Sequence, residues 1–179
     1  MRRTLFLILV VATSVSSACR KAEVTIAEQK MAAQKLSSRE ITFYFETPAL
    51  LLGHESRAIP LPGDDSAALA VVVRELLKGP QNPALARPFP PDAVLRAAYL
   101  LPEGNAIVDL GGPTLINGWQ TGSNQEMISI YSIVQTLTAN FTTVKRVHLL
   151  VNGQVSETLA GHIDISHPLY PMAQLVAKP

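Results

Sequence analysis

The chain has 179 residues with 15 basic against 14 acidic side chains, 47% apolar residues and one cysteine. Near-neutrality leaves no electrostatic footprint for nucleic acid or for an anionic membrane surface, so any binding has to be local and specific. A lone cysteine excludes an internal disulfide, and the apolar share suits one globular core of ordinary size.

The first 18 residues read as an export signal: Arg2 and Arg3 supply charge, Leu5 to Ala12 is unbroken apolar sequence, and Ser16-Ser17-Ala18 offers small residues for cleavage. A membrane span needs roughly 20 apolar residues, and polar Thr13, Ser14, Ser16 and Ser17 interrupt this one. Cleavage after Ala18 removes two arginines, leaving 13 basic residues against 14 acidic, and makes Cys19 the first residue. Val15-Ser16-Ser17-Ala18-Cys19 resembles a bacterial lipobox, departing from it at Ser16, where an aliphatic residue is usual. The expectation is that Cys19 carries a lipid such as palmitate and anchors the protein to a membrane, since an unmodified thiol is a liability in an oxidising compartment. Arg20 stands where aspartate would mark inner-membrane retention, which is compatible with outer-membrane delivery in a Gram-negative cell. Residues 19–39 then read as the lipidated cysteine and a polar tether, with a short packed helix as the alternative.

A domain is expected over 40–170, followed by a tail at 171–179. Ile41, Phe43 and Phe45 alternate with Thr42, Tyr44 and Glu46 as in a half-buried strand. After a loop through Gly53, Arg57 to Leu61 suits a short second strand, which Pro60 confines to an edge. Leu69, Val72, Val73, Leu76 and Leu77 have helical spacing, with Asp65 as the expected cap and Gly79-Pro80 as the stop. Pro83, Pro88, Pro90 and Pro91 make residues 81–92 an extended surface loop.

Val94–Leu101 and Ala106–Leu110 flank Pro102-Glu103-Gly104-Asn105 as a hairpin, ended by Gly111-Gly112-Pro113. A loop carrying Trp119 leads to Ser123, which with Glu126 matches the S-x-x-E capping box of a helix presenting Met127, Ile130, Tyr131, Val134, Leu137 and Phe141 on one stripe. Val144–Val151 and Gln154–Leu159 flank Asn152-Gly153 as a second hairpin, with Val147, Leu149 and Val151 inward and Arg146 and His148 outward. The order β(β)-α-ββ-α-ββ predicts an α+β fold, two helices packed on a mainly antiparallel or mixed sheet.

The search for chemistry yields little. The four histidines, His54, His148, His162 and His167, show no helical metal spacing, and His162-x-Asp164 with His167 is the one local cluster of potential ligands. Neither a metal nor another cofactor is expected. There is no G-x-S-x-G elbow, and no G-x-x-x-x-G-K phosphate loop accompanies Gly111-Gly112. Asp109 alternates with Val108 and Leu110 as an exposed strand residue does, and Glu126 has its capping role, so no catalytic residue is assigned. Trp119 sits among Asn117, Gly118, Gln120 and Gly122, and suits equally a contact residue for a glycan or partner and a lid over the helix pair.

From Glu126 through Tyr131 and Val134 to Thr136-Leu137, then Val144-x-x-Val147-x-x-Leu150-Val151-Asn152-Gly153, then Glu157-Thr158-Leu159-x-Gly161-His162-x-Asp164-x-Ser166-x-Pro168, the sequence resembles the GerMN domain of sporulation and spore germination proteins. Thr42-Phe43-Tyr44-Phe45, Leu77-x-Gly79-Pro80 and Ala106-x-Val108-Asp109-Leu110 extend the likeness across the predicted domain. The resemblance implies a small α/β module of exported proteins, often lipoproteins, with a role in envelope assembly and with Glu126, Thr136, Leu137, Gly153, Leu159 and Gly161 as structural signature residues. It carries over no catalytic residue. The resulting expectation is an extracytoplasmic, membrane-anchored interaction module whose partner is an envelope protein complex or peptidoglycan, and not nucleic acid. The alternatives are a peptidoglycan or glycan binding module centred on Trp119, with His162 and Asp164 as further binding candidates, and a cell-wall hydrolase using those two residues.

Overall fold

The alternating phenylalanines produce the strand they predict, β1 (Ser37–Glu46), with Ile41, Phe43 and Phe45 fully buried. In the computed structural model, residues 36–178 are described. The expected signal, Cys19 and the tether up to residue 35 lie outside them.

β2 (Leu52–Leu61) is twice the expected length and pairs antiparallel with β1 from Ser37↔Leu61 to Glu46↔Leu52. Its first half escaped the sequence pattern because the residues paired there with Phe45 and Phe43 are Gly53 and Glu55 rather than large apolar side chains. The Arg57 guanidinium lies over the rings of Phe43 and Phe45, at 4.8 and 5.3 Å from their centroids, and pairs with the Glu55 carboxylate. Pro60 is exposed near the strand's end. The outer edge of β1 meets a helix instead of a strand. Asn140 accepts from the Thr42 amide at 2.9 Å and donates to its carbonyl at 2.7 Å, while Thr136 Oγ1 accepts from the Tyr44 amide at 3.0 Å. These side chains take the place of a neighbouring strand and blunt an edge that would otherwise invite pairing.

α1 (Asp65–Leu77) buries Leu69, Val72, Val73, Leu76 and Leu77 as its periodicity predicts. Its cap is Asp64, one residue before the expected Asp65, accepting from the Ala67 amide at 2.8 Å. Two arginines fill the carbonyls at the far end: Arg57 donates to Gly79 O at 2.7 Å and Glu75 O at 3.4 Å, and Arg87 to Leu77 O at 2.7 Å and Lys78 O at 2.5 Å. Cations there also complement the negative end of the helix dipole.

Glu55 secures the chain leaving that helix by accepting from the amides of Gln81 at 3.0 Å and Asn82 at 2.8 Å. Burial alone would raise its pKa, but these amides and the Arg57 guanidinium outweigh it and hold the carboxyl below its ordinary value of 4.5. A group whose folded pKa is depressed stabilises the fold above its unfolded pKa and loses that contribution as pH falls through the folded value. The urea midpoint is therefore expected to drop as pH is taken below about 4.5, with a shallower drop in Glu55→Gln; an identical acid slope in the two proteins would refute this.

The proline-rich segment 81–92 is not wholly superficial. Pro88, Phe89 and Pro90 are buried, and the Pro88 carbonyl accepts from the Ser129 hydroxyl and from Gln125 Nε2. Phe89 makes this an inserted plug rather than an outer loop.

β3 (Val94–Leu100) and β4 (Asn105–Gly111) form the expected hairpin, with a bulge between Leu95 and Ala97. Gly111-Gly112-Pro113 ends it by starting a short helix, α2 (Pro113–Ile116). Gly112 has φ 124° and ψ 143°, and a Cβ there would stand 2.3 Å from the Asp92 carbonyl oxygen. Gly112→Ala is thus expected to cost about 1–3 kcal/mol of stability or more, read from a denaturant curve; a loss below about 0.5 kcal/mol would mean that the turn relaxes freely.

α3 (Ser123–Asn140) runs through the middle of the molecule, and every residue from Ile128 to Leu137 is buried. The single stripe expected for it was too narrow, because this helix packs on all sides rather than one. The capping box does not form: Gly122 is the cap, no side chain serves it, and Ser123 is the first helical residue. β5 (Arg146–Val151) runs parallel to β4, with Val147 and Leu149 buried and Val151 half-buried. At the Asn152-Gly153 turn both residues have positive φ, 52° and 78°, as a type I′ turn requires. β6 is only Gln154–Val155, much shorter than the expected strand to Leu159.

The strands form one two-stranded sheet, β1-β2, and one four-stranded sheet in the order β3-β4-β5-β6, antiparallel except for β4-β5. Ala98, Ala106, Val108, Leu110, Val147 and Leu149 from the larger sheet join α1, α3 and the inner face of β1-β2 in one apolar core. The fold is α+β. The chain after β6 returns along β5, where Val147 and Leu169 exchange amide bonds of 2.9 and 2.7 Å. It then reaches β2, where Ala177 N donates to Leu52 O at 2.9 Å and Leu175 is buried, so the expected tail lies on the domain. Among the described residues no helix is long and apolar enough to cross a membrane.

Candidate functional site

Glu126 is fully buried, and its carboxylate faces the returning chain instead of its own helix terminus. Oε1 accepts from the amides of Leu159 at 2.9 Å and Ala160 at 2.8 Å, and Oε2 from the His162 amide at 2.8 Å. His162 Nδ1 stands 3.0 Å from the same Oε2. Further closures tighten the loop: Thr158 Oγ1 accepts from the Gly161 amide at 2.9 Å, and the Glu157 carbonyl from the Ile165 amide at 2.9 Å. At Leu159, the expected end of β6, the amide goes to Glu126 rather than to a strand partner. A buried carboxylate normally needs pairing or several donors, and here the loop backbone provides them.

The imidazole of His162 is 40% exposed and has one nitrogen oriented by Glu126. It lies with Glu157, Thr158, Asp164 and Ser166 around a shallow depression of about 350 Å³. Asp164 is turned to its own loop, accepting from the Ser166 hydroxyl at 2.6 Å and amide at 2.8 Å, and these bonds, the hydroxyl first, hold its carboxyl below the usual range. The structure therefore gathers His162 and Asp164 on one loop. Trp119 is half-buried elsewhere, its ring against Phe89 with centroids 6.4 Å apart. Among the described residues no three His, Cys, Asp or Glu side chains group as metal ligands would.

Asp109 departs from its sequence reading. It is buried, accepting from the Gly153 amide at 2.8 Å and from Arg96 Nε at 3.0 Å, so it joins the Asn152-Gly153 turn to the bulge of β3. The other signature residues also have structural roles: Thr136 holds β1, and Leu137 and Leu159 lie in the core.

The outer face of the four-stranded sheet carries a surface that the sequence did not single out. Tyr99 pairs with Ile107 and Ile107 with His148, which sets the three side by side across β3, β4 and β5. Along β3 and its turn, Val94, Tyr99 and Leu101 are 51%, 57% and 44% exposed. Arg146 Nη1 donates to the Tyr170 hydroxyl at 3.3 Å beside them. The alternation within β3 held the clue, but solvent-facing apolar residues in a strand look like core residues until the sheet's covered face is known.

The fold and sequence have relatives. A candidate lipoprotein from Clostridium perfringens has a similar structure, with TM-score 0.54 and 22% identity over 75% of this chain and 87% of that one. The first GerMN domain of the Bacillus subtilis sporulation protein GerM gives TM-score 0.53 and 17% identity over 79% and 98% of the two chains. Its tandem GerMN domains give 0.57 and 17% over 81% of this chain and 49% of that one, so this chain spans about half of the tandem. No curated protein sequence matches. The Germane family of sporulation and spore germination matches residues 42–157, from β1 to just beyond β6, and the chain belongs to that family.

Proposed function

We propose that this Germane domain is a non-catalytic interaction module of the cell envelope, held to a membrane through acylated Cys19, which binds a partner protein with the outer face of its four-stranded sheet. The observation that carries the reading is the row of exposed apolar side chains along an edge strand, Val94, Tyr99 and, at its turn, Leu101. Exposed apolar side chains gathered on one strand and its turn are the kind of surface that a protein partner covers. The inward use of Glu126 and Asp109 supports the non-catalytic part of the reading.

A photo-crosslinking residue at position 99 of the full-length protein, in its native cells, tests it. Adducts with a defined envelope protein are expected at 99 and not at His54, on the exposed face of β2. Adducts with wall fragments alone would favour the glycan-binding alternative, although the packing of Trp119 on Phe89 supports its lid role more than a platform. No adduct of either kind at 99 would sink the docking face. Cys19→Ser is expected to abolish palmitate incorporation and membrane recovery.

The Glu126–His162 pair favours one second reading, a hydrolase using His162 with Asp164. That reading requires His162→Ala to abolish turnover of an envelope substrate while the fold survives.

A further inference from the structure

β3 is an edge strand lying beside α1. Near its end, Ser66 Oγ accepts from the Leu100 amide at 3.0 Å, and helix and strand meet closely. Near its start they border a groove of about 560 Å³ between the last turns of α1, the proline-rich segment and Val94-Leu95. Among the described residues three cations line this groove, Arg74, Lys78 and Arg87, and no acidic residue does. Leu77, Val94 and Leu95 provide apolar wall between them.

The cations differ in what holds them. Lys78 is paired with Glu75 at 2.5 Å. Arg87 is fixed by two helix carbonyls, which use only part of its donor fork and leave a rigid charge at the rim. Arg74 is exposed and makes no ion pair among the described residues. The chain is close to neutral overall, so this local excess of positive charge is a property of the groove and not of the surface at large.

We propose that the groove receives an acidic, partly apolar peptide segment of the partner protein, its carboxylates at Arg74 and Arg87 and its apolar side chains against Leu77, Val94 and Leu95. This rests on the interaction-module reading above and adds to it a second contact, at the start of β3, with its partner chemistry. A phosphate polymer would gain from the cations but has no use for the apolar wall, and a flat lipid surface does not enter a concave site. An extended peptide uses both.

The test is fluorescence anisotropy with the full chain and a labelled hexapeptide alternating aspartate and valine, against its lysine-valine counterpart. Saturable binding of the acidic peptide alone is expected, weakening with added salt as exposed charge pairs do. Arg74→Glu and Val94→Asp, both at exposed positions, are expected to weaken it by about tenfold or more, and Arg74→Lys much less; circular dichroism checks that each variant is folded. Equal binding of the lysine peptide, no effect of Arg74→Glu, no binding at all, or binding of polyphosphate without the peptide would each overturn the proposal. Protein adducts at position 99 without peptide binding would remove the groove and leave the interaction module standing. Peptide binding with only glycan adducts at 99 would overturn the outer sheet face as the protein-binding surface and leave the groove as the place where a protein docks.

Discussion

Replacing Glu126 by alanine is expected to lower the unfolding free energy by about 3–5 kcal/mol, a large part of the 5–15 kcal/mol typical of a domain. Three backbone amides converge on this carboxylate, together with His162 Nδ1. Alanine leaves those amides without an acceptor and opens space at a fully buried position. Glutamine keeps one acceptor oxygen but brings an amide group to a place surrounded by donors, so its effect should be smaller and still well above that of a surface change. Equilibrium unfolding in urea measures the loss. Hydrogen exchange provides the local signature, with the amides of Leu159, Ala160 and His162 expected to lose protection before the β1 and α1 amides do. A loss under about 1 kcal/mol, or uniform deprotection with no bias to this loop, would mean that Glu126 does not hold the returning chain.

Arg57→Ala should have an effect of the same order, about 3–5 kcal/mol, through a different mechanism. The guanidinium and the Glu55 carboxylate are mostly withdrawn from water, with side chains 8% and 12% exposed. The arginine also covers Phe43 and Phe45 and caps the carbonyls of Glu75 and Gly79. Alanine removes all of this and leaves Glu55 charged, with only backbone donors. Lysine would keep the charge but not the planar fork that reaches the carboxylate and helix end together, so most of the loss should remain. The double variant Glu55→Gln with Arg57→Met is expected to be more stable than Arg57→Ala, because apolar packing can replace a buried pair while an unpaired charge cannot be accommodated cheaply. A double variant no better than the single one would show that helix capping, not the ion pair, is the dominant role.

Together, Glu126 and the Glu55-Arg57 pair show how this domain uses its buried charge: each joins segments far apart in the chain. Glu126 on α3 holds residues 159–162, and Glu55 and Arg57 on β2 hold the end of α1 and the start of the proline-rich segment. Asp109 does the same on a smaller scale for the second turn. The acidic residues most suggestive of chemistry in the sequence are thereby engaged inside the fold. Outside, β3 keeps exposed apolar side chains and a basic groove lies at its start.

The amino-acid sequence by itself determined the elements whose signal is local. Ile41, Phe43 and Phe45 specified the first strand, the spacing from Leu69 to Leu77 specified the first long helix, and Asn152-Gly153 specified a type I′ turn. Each depends on a few adjacent residues and one repeating geometry, so the order of elements and the α+β class were legible. Tertiary structure alone decided the roles of Glu126, Asp109 and Arg57. Ser123 and Glu126 have the spacing of a capping box, yet the loop from Leu159 to His162 offers more donors to the carboxylate than a helix terminus does, and buried charge goes where its donors are. The first half of β2 was hidden for a related reason: its positions paired with Phe45 and Phe43 are Gly53 and the ion-paired Glu55, and periodicity of apolar residues cannot register such a strand. Burial all around α3, the plug of Phe89 and the exposed row on β3 likewise depend on what packs from elsewhere in the chain, which a local pattern does not contain.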